Sequence, residues 1–142
     1  MHYMMIMIPL DYAKAKPGFV PDNQAIQRMS KYNEELAKAG VLVALNGLTP
    51  PATMSARVTF KDGKSKVTDG PFPESKEVVG GFWIINVNSP EEAKQWASRI
   101  PGSENEMVEV RRFFDASDFD PATVKKFEKL FEEDEYTPGN QK

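Results

Sequence analysis

The sequence lacks cysteine altogether and contains a single histidine, His2. The absence of cysteine excludes disulfides, zinc–thiolate sites, iron–sulfur clusters and a thiol nucleophile. A single histidine excludes metal sites built from several histidines and leaves little room for a Ser-His-Asp triad. Because no phosphate loop, dinucleotide fingerprint or metal-ligand spacing is present, we predict neither a cofactor nor a metal. A Mg²⁺ or Ca²⁺ site made of carboxylates alone is the remaining metal alternative, and no pattern favours it.

The sequence also lacks a long hydrophobic run and a strong excess of charge. Its longest apolar run, Tyr3 to Ile8, is far shorter than the roughly 20 residues that span a bilayer, and it has neither the basic start nor the cleavage site of a signal peptide. With 18 basic and 21 acidic residues the net charge is -3, whereas nucleic-acid binding usually shows a basic footprint. We therefore expect a cytoplasmic protein without a nucleic-acid or membrane partner.

The composition that is present is typical of one globular domain. The chain has 142 residues, of which 40% are apolar and 27% charged, a balance that supports a packed core without disulfides or metals. Apolar runs and alternating patterns predict strands at residues 3–8, 41–45, 56–60, 64–68, 78–87 and 107–114. Apolar residues at spacings of three and four predict one helix after the first strand, a second before the last strand and a third after it.

Local signals sharpen these boundaries. The Asp22 side chain is expected to cap the first helix, and Ser89 with Glu92 three residues later predicts a capping box at the second. The pair Asp62-Gly63 predicts a tight hairpin turn between the third and fourth strands. Within the fifth strand, Gly80-Gly81 predicts either a bulge or a close approach of another backbone.

The order of the elements predicts the fold class. Two strand–helix–strand units joined through a hairpin favour an α+β fold, a ferredoxin-like split βαβ arrangement with helices on one face of an antiparallel sheet. Residues 1–114 would form this domain and residues 115–142 a C-terminal helix with a polar tail. Four apolar side chains of that helix are expected to dock on their own subunit or on a partner: Val124, Phe127, Leu130 and Phe131.

The sheet should have a second apolar face. With both helices on one side, the other side would be open to solvent, although residues 3–8 and 82–87 are apolar at nearly every position. Large exposed apolar faces usually bind a partner, so we expect a homodimer packed sheet to sheet. The alternative is that the third helix covers this face within one chain.

One stretch carries a recognisable motif. Asp69-Gly70-Pro71-Phe72 follows a strand, and it is succeeded by Lys76-Glu77 and by Gly80-Gly81-Phe82. Together these elements closely resemble the signature of the YCII-related family, in particular its DGPF-domain branch. The likeness covers roughly residues 1–114 and implies membership of the dimeric α+β barrel superfamily, in agreement with the expected fold and dimer. Some YCII-related proteins are thought to use a His-Asp pair, and one is a dehydrochlorinase. Since residues 22–28 contain no histidine, that mechanism is not carried over.

The same stretch supplies the candidate site. Asp69 and Glu77, with Glu74 between them, are the best acid–base candidates, because burial and neighbouring like charges can bring a carboxylate pKa toward neutrality. Arg57 is predicted to complete the catalytic group by holding a carboxylate or enolate. Asp69, Glu77 and Arg57 are predicted to line one solvent-reachable cleft beside Tyr32. Four residues are predicted to bind the ligand: Tyr32, Phe72, Lys76 and Arg111.

Structural roles remain open for each of these residues. Asp69 could cap its own turn, Lys76 and Glu77 could pair with each other, and the arginines could pair with Glu77 or Glu109 across strands. Accordingly, we expect a small-molecule enzyme or ligand-binding protein that acts by acid–base chemistry on a small organic acid or enolisable ring. The alternative is a non-catalytic dimeric interaction or regulatory module.

Overall fold

The structure, a computed structural model, describes residues 1–132, apart from the side chains of residues 127 and 129–132. Within this part of the chain, short 3-10 turns lie at Tyr12–Lys14 and Ala116–Asp118. The strands and α-helices are β1 (His2–Ile8), α1 (Asn23–Lys38), β2 (Leu42–Gly47), β3 (Ala56–Lys61), β4 (Lys64–Asp69), β5 (Gly81–Asn86), α2 (Pro90–Ser98), β6 (Met107–Arg112) and α3 (Pro121–Glu132).

The strands form the predicted antiparallel sheet. Four of them pair in the order β2-β5-β1-β6, and every neighbouring pair is antiparallel. Because β1 and β2 are separated by β5, the β1-α1-β2 unit is a split βαβ, as the ferredoxin-like prediction requires. β3 and β4 lie between β2 and β5 in the sequence, and they form a separate two-stranded sheet. The expected α+β fold is confirmed, and the described sheet remains open rather than closing into a barrel.

The core lies on the helical side of the sheet. Burial alternates along β1, so that Tyr3, Met5 and Met7 are buried while the residues between them are half-buried. The buried set packs against Leu36 of α1 and Ala93 of α2, both fully buried. Both helices therefore cover the same face, since alternate strand residues point to opposite faces.

The caps confirm the predicted helix starts, with one correction. The Asp22 carboxylate accepts a hydrogen bond from the N–H of Ala25 at 2.8 Å, and the Ser89 hydroxyl accepts one from the N–H of Glu92 at 3.1 Å. The reciprocal half of the predicted capping box is wrong. The Glu92 carboxylate reaches past Ser89 and accepts from the N–H of Asn88 at 3.0 Å, which still neutralises a backbone donor before the helix.

β5 is shorter than predicted, since it begins at Gly81 and ends at Asn86. A Cβ on Gly80 would lie 2.4 Å from Cγ of Pro9, and one on Gly81 would lie 3.0 Å from the backbone oxygen of Asn46. The two glycines thus mark close approaches, one of the two expected alternatives. The register irregularity of this sheet lies instead in β2, between Leu42 and Ala44.

The face opposite the helices is partly apolar and partly accessible. Met4, Ile6 and Phe82 are half-buried on it, and Ile84 is 8% exposed. Val124 of α3 is half-buried, whereas the predicted docking of Phe127, Leu130 and Phe131, and the polar tail, lie outside the described residues.

Candidate functional site

A large cavity opens between α1 and the sheet. Its volume is about 970 Å³, and it is bounded by α1, the loop of residues 9–21, the end of β2 and the start of β5. We call this cavity the α1 cleft. It is large enough for a small organic molecule, since such sites usually measure about 300–1,000 Å³.

The loop that closes one side of the cleft is fixed in place. The Tyr12 hydroxyl donates a hydrogen bond to the carbonyl of Leu48, and the N–H of Gly18 donates to the hydroxyl of Thr53 at 3.1 Å. The Tyr12 ring also meets Phe19 edge-on, with the centroids 6.1 Å apart. Burial raises the pKa of Tyr12, which keeps its hydroxyl protonated and able to donate.

The α1 cleft is lined by apolar side chains whose exposure to water is unfavourable. Some of the large apolar residues that the structure leaves exposed line it: Leu10, Phe19, Val20, Ile26 and Leu45. Below them the wall continues with Met29 and the buried Trp83. Apolar walls with few polar groups are typical of small-molecule sites.

The charged side chains of the lining differ in whether they have a partner among the described residues. Among the lining carboxylates, Asp22 accepts from Ala25 and Glu106 accepts from the N–H of Ser103. Asp11 makes no side-chain hydrogen bond or ion pair with any described residue, and its backbone lies in the left-handed region at φ 55°. Arg28 is likewise without an ionic partner among the described residues. The cleft therefore offers one free carboxylate and one free guanidinium.

Tyr32, predicted as a binding residue, lies in the core under the cleft. It is 4% exposed, and its hydroxyl donates to the carbonyl of Trp96 at 2.7 Å. Its ring meets Trp83 edge-on at 5.9 Å between centroids. Burial raises the pKa of Tyr32 far above its ordinary value, with Glu35 adding to the rise and Arg99 opposing it. Tyr32 thus supports the cleft wall and does not line it.

Arg57 and Phe72 do come together, in a cluster at the DGPF turn (residues 69–77). The Arg57 guanidinium lies 3.7 Å from the centroid of the Phe72 ring. It donates to the hydroxyl of Ser75 at 2.7 Å and lies 3.7 Å from a carboxylate oxygen of Glu74. We call these four residues the Arg57 cluster. Because the guanidinium stacks and donates within the turn, the cluster ties the turn to β3.

Gly70 explains another part of the motif. A Cβ there would lie 1.8 Å from the Ser55 hydroxyl oxygen, and the N–H of Gly70 donates to the carbonyl of Ser55 at 2.8 Å. Ser55 in turn donates from its hydroxyl to the carbonyl of Pro51 at 2.9 Å. The turn therefore requires glycine at position 70 for close packing.

The remaining predicted site residues do not converge. Asp69, Lys76 and Glu77 are exposed, and their side chains make no hydrogen bond or ion pair with described residues, so neither the turn cap nor the Lys76–Glu77 pair forms. Arg111 lies on the open face of the sheet, beside a second cavity of about 470 Å³ that Met4 also lines. It forms no pair with Glu109, and Arg57 pairs with Glu74 instead of Glu77.

The expectation that Asp69, Glu77 and Arg57 share one cleft beside Tyr32 is not met by the α1 cleft, whose lining contains none of the predicted site residues. The reason is topological: the motif follows the separate hairpin, whereas the cleft is built by α1 and the main sheet. Their catalytic and binding roles remain predictions. Three polar residues that line the cleft were not predicted from the sequence: Asp11, Arg28 and Asn33. The sequence offers no local signal for them apart from the position of Asp11 after a strand that ends at a proline.

Two absences hold for the part of the chain that the structure describes. No group of three His, Cys, Asp or Glu side chains there could hold a metal ion. Among the helices of residues 1–132, none has both the length and the apolar character needed to cross a membrane.

Comparison with known proteins shows which family and which relative the sequence resembles. The model of a family described as the YCII-related domain matches residues 1–117. An uncharacterized protein of Rhizobium meliloti (strain 1021) is 33% identical over 76 residues, which make up 54% of this chain and 60% of that protein. The chain thus spans about 60% of the length of the curated relative that it matches.

Proposed function

Because the chain belongs to the YCII-related family, and because exposed apolar side chains line one cavity beside free charged groups, we propose that the α1 cleft binds a small organic acid with an apolar body. The observation that carries this proposal is the gathering of Leu10, Phe19, Val20, Ile26 and Leu45 around one cavity. A monomeric surface gains nothing from such a gathering, whereas a ligand with an apolar body would cover it.

Arg28 supplies the charge that such an acid needs. Arg28 lines the cleft, and its guanidinium has no ion-pair partner among the described residues. A guanidinium can hold a carboxylate with two parallel hydrogen bonds, which fixes the orientation of the ligand as well as its position.

Asp11 is the candidate for acid–base chemistry. It is the lining carboxylate whose side-chain oxygens have no partner among the described residues. Its backbone lies in the left-handed region, at φ 55°, which aspartate and asparagine adopt more readily than most other residues. In this proposal the Asp11 carboxylate accepts a proton from the carbon beside a ligand carbonyl, and Arg28 stabilises the resulting enolate.

Binding is tested through the two tryptophans of the chain. Trp83 lines the cleft and Trp96 does not, so an apolar acid such as 4-ethylbenzoate should shift the indole N–H resonance of Trp83 and leave that of Trp96 nearly unchanged. Arg28→Gln should weaken this binding. If neither indole resonance moves up to millimolar probe, the cleft does not bind this class of ligand.

Catalysis is tested separately by solvent exchange. Phenylpyruvate carries an acid, an apolar ring and an enolisable carbon, and the protein should accelerate deuterium incorporation at that carbon in D₂O. Asp11→Asn keeps the size of the side chain and tolerates the left-handed backbone, so it should bind phenylpyruvate and lose the acceleration. Glu34→Gln, an exposed carboxylate of α1 outside the cleft, is the matched control. Binding without any acceleration by the unaltered protein would favour the non-catalytic alternative.

A second candidate function, a dimeric interaction module, is supported by a different observation. Met4, Ile6 and Phe82 lie together on the sheet face that α1 and α2 leave open. A second copy of the chain packed on this face would bury them, as the expected homodimer requires.

Light scattering tests the dimer: at micromolar concentration it should give twice the 16.0 kDa chain mass. Ile6→Lys should produce monomers and Thr59→Lys, on the exposed hairpin, should not; a monomeric unaltered protein would refute the dimer.

A further inference from the structure

The cleft contains one side-chain amide whose orientation the structure fixes. The indole Nε1–H of Trp83 donates a hydrogen bond to Oδ1 of Asn33 at 2.7 Å, and both residues line the α1 cleft. The two ends of an asparagine amide look alike in shape, but an indole N–H can only donate. The Oδ1 oxygen of Asn33 must therefore face Trp83, and the amide NH2 group at Nδ2 must face away from it.

Trp83 cannot easily turn to release Asn33. Its ring is 5% exposed and is held edge-on by Tyr32, with 5.9 Å between the ring centroids. Tyr32 is itself fixed by the hydrogen bond from its hydroxyl to the carbonyl of Trp96. This chain of contacts reaches from α2 through the core to the wall of the cleft.

The amide NH2 group of Asn33 has two N–H donors and no hydrogen-bond partner among the described residues. Asn33 is half-buried and lines the cleft, so these donors are available to a molecule bound there. A ligand that displaces water from this part of the cleft must offer an acceptor to these donors, because leaving them unpaired would cost free energy.

We propose that Asn33 is a specificity-determining residue whose Nδ2 donates to a second acceptor oxygen of the ligand, a ketone, ester or amide carbonyl, in addition to the carboxylate held by Arg28. This inference rests on the proposed function, because it requires an organic acid in the α1 cleft. It narrows the ligand to acids that carry a carbonyl oxygen in addition to the carboxylate. Arg28 and Asn33 are five residues apart on α1, which is about 7.5 Å along a helix axis.

A pair of matched probes tests this. 4-Acetylbenzoate and 4-ethylbenzoate share the ring and the carboxylate and have similar shapes, but only the acetyl group offers a carbonyl oxygen. The unaltered protein should bind 4-acetylbenzoate about three- to tenfold more tightly, as expected for one additional hydrogen bond.

Asn33→Asp should abolish that preference. The new carboxylate still accepts from the Trp83 indole, so the wall should keep its structure, but it has no donor for the acetyl oxygen. Because both probes carry the same charge, repulsion by the added carboxylate weakens both and cancels in the ratio. Arg28→Gln is the control: it should weaken both probes and preserve the ratio.

The outcomes separate this inference from the function on which it rests. Equal affinities in the unaltered protein, or a preference that survives Asn33→Asp, would overturn the role of Asn33 while leaving the acid-binding cleft intact. If neither probe shifts the Trp83 indole resonance of the unaltered protein, the proposed function fails and this inference fails with it.

Discussion

The α1 cleft and the DGPF turn differ in two respects: whether the sequence carries a recognisable motif there, and whether the side chains are available to bind a ligand. The turn carries the recognisable motif, yet Arg57, Phe72 and Ser75 are occupied with one another. The cleft carries no recognisable motif, yet it is lined by charged side chains that have no partner among residues 1–132. A motif can thus mark the residues that a fold needs for packing, whereas a binding site is marked by groups that the fold leaves unsatisfied.

The two regions also differ in how they are anchored. The cleft is built on α1, which is fixed by the fully buried Leu36. Every residue of β3 and β4 is exposed, including Phe60 at 80% and Val67 at 65%. The hairpin therefore contributes little to the core of its own subunit.

The largest expected effect tests this difference in anchoring. Leu36→Ala removes a side chain with no exposed surface and should lower the free energy of unfolding by about 2–5 kcal/mol, because it leaves a cavity. Phe60→Ala on the hairpin should change it by no more than about 0.5 kcal/mol in the monomer. Urea unfolding of both variants at low protein concentration measures the two values. Equal losses would show that the hairpin is part of the core.

The next effect tests whether the motif is a packing element. Gly70→Ala would place a Cβ 1.8 Å from the Ser55 hydroxyl oxygen, so the free energy of unfolding should fall by about 1–3 kcal/mol. Gly102→Ala is the matched control, since nothing lies within 4 Å of its Cβ position, and it should be neutral or stabilising by up to about 1 kcal/mol. A tolerated Gly70→Ala would contradict the packing role.

A pair of arginines sharpens the comparison further. Arg57→Ala should lower the free energy of unfolding by about 0.5–1 kcal/mol, because it removes an exposed stacking contact and hydrogen bond, and should leave binding of 4-ethylbenzoate unchanged. Arg28→Gln should leave stability unchanged and weaken that binding by about tenfold, since a charge-assisted contact is lost. Thermal unfolding and the Trp83 indole titration measure both properties. The reverse pattern would move the binding site to the DGPF turn.

The smallest effect lies outside both regions, at the junction that leads to α3. Arg112 donates two hydrogen bonds to Asp118, at 2.8 and 2.9 Å, and these hold the pKa of Asp118 below its ordinary value. A lowered pKa in the folded state contributes stability above the unfolded value of about 3.9 and loses it as the pH falls through the folded value. Stability should therefore decline slightly more on acidification in the unaltered protein than in Asp118→Asn. Identical profiles from urea unfolding between pH 7 and pH 3 would show that the pair contributes nothing.

Reasoning from the sequence predicted the local elements well because their signals are local. The Asp22 cap, the Asp62-Gly63 turn and the apolar run of β1 depend on neighbours within a few residues, and the structure confirms the cap, the turn and the strand. The predicted hydrogen-bond partner of Glu92 was wrong by one residue: its carboxylate accepts from the N–H of Asn88 instead of that of Ser89. A flexible carboxylate can reach either of two adjacent N–H groups. The dimer, the cytoplasmic location and the DGPF branch within the family remain predictions.

The candidate site was decided by long-range packing. Asn33 and Trp83 are 50 residues apart in the chain, yet they meet within one hydrogen bond because α1 packs across β5. No pattern in the sequence says that the amide of Asn33 points one way, or that Arg28 is left without a carboxylate. The sequence by itself determined the strands, the helices and the family, since these follow from periodicity and short motifs. Only the tertiary structure decided which polar groups are paired and which face a cavity, because pairing depends on distances that arise once distant segments have packed together.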